Sequence, residues 1–291
     1  MSLRDNIFIS DINDIETKKV TEFYKITPFP NYKDNDNTQT ILEKGNKNIL
    51  ANNFKRFIGH KKKILEAGCG TGQLSIYFAL GTNNEIVALD PTIQSLKLAK
   101  NFSTKNGISN IKFVNADIFD DVIKDDYFDF IWCNGVLHHT KDPYLAFKII
   151  SKYLKKNGYI LIGLYNRIGR MRTLIRKYLS KIFGKKFLEI FDPTLKNLKI
   201  NYDEKESWIN DQYFHPIESL HTLDEVLKWF DQNNIEYLNS IPFDFNLNSK
   251  LLSKKKVKSK YFMFLNELSL MANLAQINEG GFFIMIGKKK N

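Results

Sequence analysis

Cysteine is nearly absent from this chain: Cys69 and Cys133 are the only two among 291 residues. A disulfide framework is therefore excluded, and nothing calls for an oxidising compartment. No run of eighteen apolar residues exists, so no segment reads as a membrane-crossing helix. The opening Met1-Ser2-Leu3-Arg4-Asp5 lacks an apolar signal region, which leads us to expect a cytoplasmic location. Internal repeats, low-complexity tracts and metal-ligand spacings are also missing. Aromatic residues, by contrast, are plentiful at 13%. They supply a core and exclude disordered, collagen-like and coiled-coil classes. The length suits one core domain with sizeable additions.

Arginine is the scarce cation, six of 43 basic residues, yet Arg167, Arg170, Arg172 and Arg176 fall within ten positions. The net charge of +11 is local. Eight basic residues and no acid lie between Arg167 and Leu188, and six lysines and no acid between Lys250 and Lys260. The remainder of the chain is slightly acidic. A planar guanidinium can grip carboxylate or phosphate with two parallel bonds. The 167–188 segment thus has two readings, a solvated helix face or an element that meets anions or a membrane surface.

From Lys63 onward short apolar runs alternate with longer amphipathic ones. Strands are predicted at Lys63–Ala67, Glu85–Asp90, Ile111–Val114, Phe128–Cys133, Tyr159–Tyr165, Ile235–Pro242 and Gly281–Gly287. Helices are predicted at Gln73–Leu80, Ile93–Asn106, Tyr144–Leu154 and Lys256–Gln276. A further helix begins at Thr222, which with Glu225 forms a capping-box pair. This alternation implies an α/β fold, a Rossmann-like seven-stranded, mostly parallel sheet with helices on both faces. The expected division is an N-terminal helical extension or lid over 1–60, a core over 61–165, a basic helical cap over 166–221 inserted after the fifth strand, and the rest of the sheet over 222–291 with a second basic insertion near 244–276. Within 166–221 apolar residues recur every three or four positions from Ile168 to Phe183, and much of the basic cluster falls on the opposite face.

Glu66-Ala67-Gly68-Cys69-Gly70-Thr71-Gly72-Gln73 follows the first strand and opens the first helix, the context of a nucleotide-binding loop. Glycines let the main chain approach a ligand closely, and free amides at a helix start favour polar or negative atoms. A dinucleotide fingerprint needs its third glycine at position 73; here it comes one place early, at Gly72. Asp90 closes the second strand, 22 residues after Gly68, where a carboxylate can accept from both hydroxyls of a ribose. Asn115-Ala116-Asp117-Ile118 and Asn134-Gly135-Val136-Leu137-His138-His139 follow the third and fourth strands.

These four motifs, in this order, resemble those of class I S-adenosylmethionine-dependent methyltransferases over residues 60–165 and, more loosely, at the last strand, which the resemblance makes antiparallel. The resemblance implies S-adenosylmethionine as cofactor and S-adenosylhomocysteine as product. Glu66, Gly68, Cys69, Gly70, Gly72, Gln73, Asp90, Pro91, Thr92, Asp117, Ile118, Asn134 and Val136 would hold it, with Asp117 on the adenine amine. His138 and His139 either shape their loop or act as a base. Gly163–Arg170 and the early Tyr24…Pro28-Phe29-Pro30-Asn31-Tyr32 are similar to methyltransferase domains that are sometimes fused to tetratricopeptide repeats. No Asp/Asn-Pro-Pro-aromatic motif follows the fourth strand, which disfavours adenine or glutamine-amide methylation.

For the acceptor, Tyr24, Tyr32, Tyr165, Arg167, Arg170, Tyr213, His215 and His221 are the expected lining, and the arginines point to a small anionic molecule. Alternatives are an RNA acceptor contacted by the lysine-rich 250–260 segment, a lipid headgroup reached through the basic helix, and a non-catalytic cofactor-binding protein. RNA lacks support from any aromatic platform among those lysines. The sequence names no oligomeric state.

Overall fold

The computed structural model describes residues 2–26, 28–193, 195, 202–242, 252, 254–257, 259–272 and 280–291. One nine-stranded sheet organises them. In chain order the described elements are β1 (Ser2–Arg4), β2 (Ile7–Ile9), α1 (Ile15–Ile26), α2 (Thr38–Lys47), α3 (Ile49–Ile58), β3 (Lys63–Ala67), α4 (Gln73–Ala79), β4 (Glu85–Asp90), α5 (Ile93–Lys105) and β5 (Ile111–Asn115). They continue with β6 (Phe128–Asn134), α6 (Pro143–Lys152), β7 (Leu154–Tyr165), α7 (Met171–Phe183), α8 (Lys186–Phe191), α9 (Tyr202–Phe214), α10 (Leu223–Gln232), β8 (Ile235–Ile241), α11 (Lys260–Met271) and β9 (Phe282–Lys289).

The spatial order is β1-β2-β5-β4-β3-β6-β7-β9-β8. Strands β2 to β7 pair in parallel, and β9 runs antiparallel between β7 and β8. The seven predicted strands are all present, and the last is antiparallel as expected. The two additional strands form a hairpin at the start of the chain, in a segment expected to be helical. Ile7 sets its position: it lies opposite Phe113 of β5 and is buried.

Neighbouring strand residues face opposite sides of the sheet. Ile64, Ile86 and Phe130 join the core beneath α3, α4 and α5, while Leu65, Val87 and Ile131 join the one packed against α6 and α10. Both faces are therefore dry, as a parallel sheet requires. Local chemistry sets the helix starts: Asp142 caps α6 ahead of Pro143, and Thr222 and Glu225 form the expected capping box on α10.

The insertion after β7 leaves and returns at one point. His221 N–H donates to the Tyr165 carbonyl, and Arg167 N–H donates to the His221 carbonyl. Buried Asn166 holds this junction, its Oδ1 accepting from the amides of Ile168 and Gly169 and its Nδ2 donating to Glu267. Inside the insertion Leu188, Leu195, Ile209 and Tyr213 make a small core of their own. In helix α7 the buried residues are Thr173 and Ser180, and the apolar stripe faces outward. The second basic insertion, expected near 244–276, and the end of the helix expected over Lys256–Gln276 lie partly outside the described residues; α11 covers most of the part that is described.

Candidate active site

One cavity of about 440 Å³ opens along the carboxyl-terminal ends of β3, β4, β6 and β7. The strand order reverses between β3 and β6, the place where open α/β sheets receive ligands. Each motif delivers its residues there because each follows a strand of the same parallel set.

Gly68 and Gly70 take left-handed backbone angles, φ 73° and 52°. A side chain on Gly70 would meet the Phe29 carbonyl at 2.3 Å, so the loop's shape depends on this residue having none. Asp90 braces the loop from β4. Its Oδ2 accepts from the Gly70 amide (2.7 Å) and its Oδ1 from the Thr92 amide (2.8 Å). Burial raises the Asp90 pKa above the ordinary carboxylate value against the pull of these amides. Glu66, deeper on β3, accepts from the Ser75 hydroxyl; burial pushes its carboxyl up to about 8, with Asp90 adding to the effect. Glu66 is thus protonated at neutral pH.

Cys69, Pro91, Thr92, Asp117, Ile118, Asn134 and Val136 also line the cavity, as expected. Asp117 has a structural task as well, capping the turn Ile118–Asp120 and accepting from Thr17 Oγ1 at 2.5 Å. Gly72 and Gln73 do not line it. Gly72 packs on Ala99 of α5. Gln73 turns outward, its Nε2 donating to the carbonyls of Pro30 and Asn31.

The segment 28–32 crosses the loop. Thr71 Oγ1 donates to the Pro30 carbonyl (2.5 Å), and the Tyr32 hydroxyl donates to the Thr71 carbonyl (2.9 Å). Phe29 and Pro30 line the cavity. Tyr32, expected to reach inward, instead stacks on Phe102, ring centroids 4.9 Å apart.

At the opposite end are His138, His139, Tyr165 and Tyr24, all four expected there, together with Trp208, Asp211, Gln212 and Phe282. His138 is buried, and among the described residues neither ring nitrogen has a hydrogen-bond partner. His139 and His215 both direct Nδ1 at the Ile217 carbonyl, each at 2.6 Å. A carbonyl only accepts, so His139 carries its proton on Nδ1 and leaves Nε2 bare, whereas His215 Nδ1 also faces the Ile217 amide, which donates to it at 3.2 Å. Burial depresses all three histidines, His139 to about 4 and His215 to about 3, so each is neutral at pH 7. Tyr24 donates to Asp211 (2.9 Å), and Gln212 Nε2 donates to both the Tyr165 hydroxyl (2.8 Å) and Asp211 (3.1 Å). Burial raises the Asp211 carboxyl despite these bonds.

Besides Tyr32, five residues expected on the acceptor side stand elsewhere. Arg170 is fully buried behind Tyr165, its guanidinium 3.6 Å from the ring centroid and bonded to Glu218, Gln212 and the Gly280 carbonyl. Its donors are spent on the fold. Arg167 lies on the surface against the Leu220 carbonyl. Tyr213 donates to Asp192 within the insertion's core. His221 bonds Ser219 and Glu225 beside Trp229. His215 sits one layer back, stacked on His139 at 3.6 Å between centroids. Asp211 and Gln212 have taken the place of the arginines. They were hard to see because helix α9 carries no periodic apolar stripe to orient it, although Asp211 falls in the polar cluster just before Thr222.

A family model described as a methyltransferase domain matches residues 58–235. An uncharacterized protein of Synechococcus sp. is 27% identical over 200 residues, covering 61% of this chain and 48% of its own length. The chain thus spans about half of that relative. The ubiquinone biosynthesis O-methyltransferase of Haemophilus ducreyi is 25% identical over 210 residues, 70% of this chain and 78% of that protein. PKMT2 from Rickettsia typhi, solved in complex with AdoHcy, shares the fold with a TM-score of 0.56 at 17% identity, covering 79% of this chain and 49% of that one. The family match covers more than half the chain and falls on the glycine loop, Asp90, Asp117 and the His138 loop alike: this chain belongs to the methyltransferase domain family, the class I S-adenosylmethionine-dependent methyltransferases.

Proposed function

We propose that the chain transfers a methyl group from S-adenosylmethionine to a small acceptor held among Tyr24, His138, Tyr165 and Asp211. The observation that carries this reading is one cavity with the glycine loop and Asp90 at one end and a buried, unpartnered imidazole at the other. The residues fit the cofactor. The volume falls in the range of small-molecule sites. Asp90 faces the cavity with its oxygens accepting from the Gly70 and Thr92 amides, and a carboxylate has lone pairs left over for a ribose hydroxyl. Asn134 Oδ1, at the end of β6, is buried without a partner among the described residues and supports a polar ligand group beside it.

When bound, the cofactor supplies a methyl group activated by a sulfonium whose leaving group is a neutral thioether. The chain's own work is then to exclude water and to aim the acceptor, which by itself lowers a barrier by several kcal/mol. A hydroxyl acceptor must also lose its proton. His138 and His139, neutral at pH 7 with an unoccupied ring nitrogen each, can take it. The acceptor end holds a carboxylate and no free cation among the described residues, since Arg170 is paired with Glu218. We therefore replace the anionic acceptor expected from the sequence with a neutral or cationic one that donates a hydrogen bond to Asp211.

Calorimetric titration with S-adenosylhomocysteine, followed by a labelled-methyl screen of metabolite pools, tests the reading. One bound nucleoside per chain and transfer to a small molecule are expected. A well-folded protein that ignores S-adenosylhomocysteine but takes up NADH would overturn it.

A further inference from the structure

Helix α7 is built inside out. Thr173 and Ser180, its two buried residues, are seven positions apart and so share one side of a 3.6-residue helix. Met171, Leu174, Ile175, Tyr178 and Ile182 form a stripe on the opposite side, exposed by between 37% and 66%. Phe183, Ile190 and Phe191 extend the exposed apolar surface into α8. The cations border this stripe, Arg172 and Arg176 along one edge, Lys177 and Lys181 along the other. Among the described residues none of the four pairs with a carboxylate, and the two arginines reach only main-chain carbonyls or the Thr173 hydroxyl.

An apolar stripe of this length is unfavourable in water and marks a surface that something covers. The charge decides what. A second copy docking by the same face would set cationic edges against cationic edges. An anionic bilayer satisfies both parts at once: its acyl boundary takes the apolar side chains and its phosphates take the flanking cations. No described helix is long and apolar enough to cross a membrane, so the contact is peripheral.

We propose that α7 and α8 form a docking face for an anionic lipid surface. This proposal is independent of the acceptor's identity. Flotation of the full chain with vesicles that mix phosphatidylglycerol with phosphatidylcholine is the test. Co-flotation is expected at low salt, weakened at high salt and on phosphatidylcholine alone. The double variant Ile175→Glu/Ile182→Glu should lose more than about tenfold in vesicle affinity, with melting temperature and S-adenosylhomocysteine affinity unchanged. Both sites are exposed, so the fold tolerates them. Absence of flotation on the anionic vesicles, or equal flotation of the double variant, overturns the proposal. So does a dimer, seen by light scattering, that the variant abolishes, because the face would then be a contact between copies.

Discussion

The rings of His139 and His215 stack with centroids 3.6 Å apart, and both place Nδ1 2.6 Å from one acceptor, the carbonyl of Ile217. The pair stands at the end of the cavity proposed for the acceptor and is built for the uncharged state. For His139 the folded pKa of about 4 lies below the ordinary 6.5, so the unfolded chain binds more protons between these values. Stability is thus full above pH 6.5 and is lost as the pH falls toward 4. Thermal melts from pH 7.5 to 4.5 should show a declining midpoint, with a shallower decline in His139→Gln.

Glu66 has the opposite slope. Its folded pKa, about 8, stands above the ordinary 4.5, so its contribution weakens as the pH rises from 4.5 through 8. Glu66→Gln keeps the neutral shape that Ser75 bonds. Its melting point relative to the parent should be higher at pH 9 than at pH 6; an equal difference at both would remove this account.

Arg170 is expected to matter to the fold and not to the acceptor. Arg170→Ala leaves the largely enclosed Glu218 without its partner and opens a void behind Tyr165, a loss of about 3 kcal/mol. Denaturant titration should register that loss. At a temperature where the variant remains folded, acceptor KM should change less than stability does.

In the proposed reading Asp90 serves the nucleoside and Asp211 the acceptor, at opposite ends of one cavity. Asp90→Asn should weaken S-adenosylhomocysteine by about tenfold or more, the size of a charge-assisted bond. Asp211→Asn and Tyr24→Phe should instead raise acceptor KM and leave the nucleoside's Kd near its parent value. Titration calorimetry and steady-state kinetics on the same preparations separate the two.

What the sequence made legible follows from the kind of signal each part carries. Strands β3 to β7 are short apolar runs with a motif at each end, so their order and the placing of Gly68, Asp90, Asp117 and Asn134 were readable. The hairpin 2–9 was not, because three-residue strands are too short for a periodic pattern, and Ile7 is buried only through its pairing with β5. Nor did charge reveal its partners. Four clustered arginines suggested anion binding, whereas Arg170 found Glu218 48 residues away, a pairing that only the closed insertion creates. The α7 pattern was read correctly as amphipathic, but periodicity does not say which face turns inward.

The hairpin is expected to affect ligand binding although its residues stand outside the cavity. The stretch that covers the pocket is pinned at both ends, by Ile7–Ile9 on the sheet's margin and by Tyr32 on Thr71. A strap fastened twice surrenders less freedom on closing than a loose tail would. Trimming residues 2–9 would untie one end, and the entropy then lost at each closure would surface as weaker nucleoside retention, though every group that touches the nucleoside remained in place.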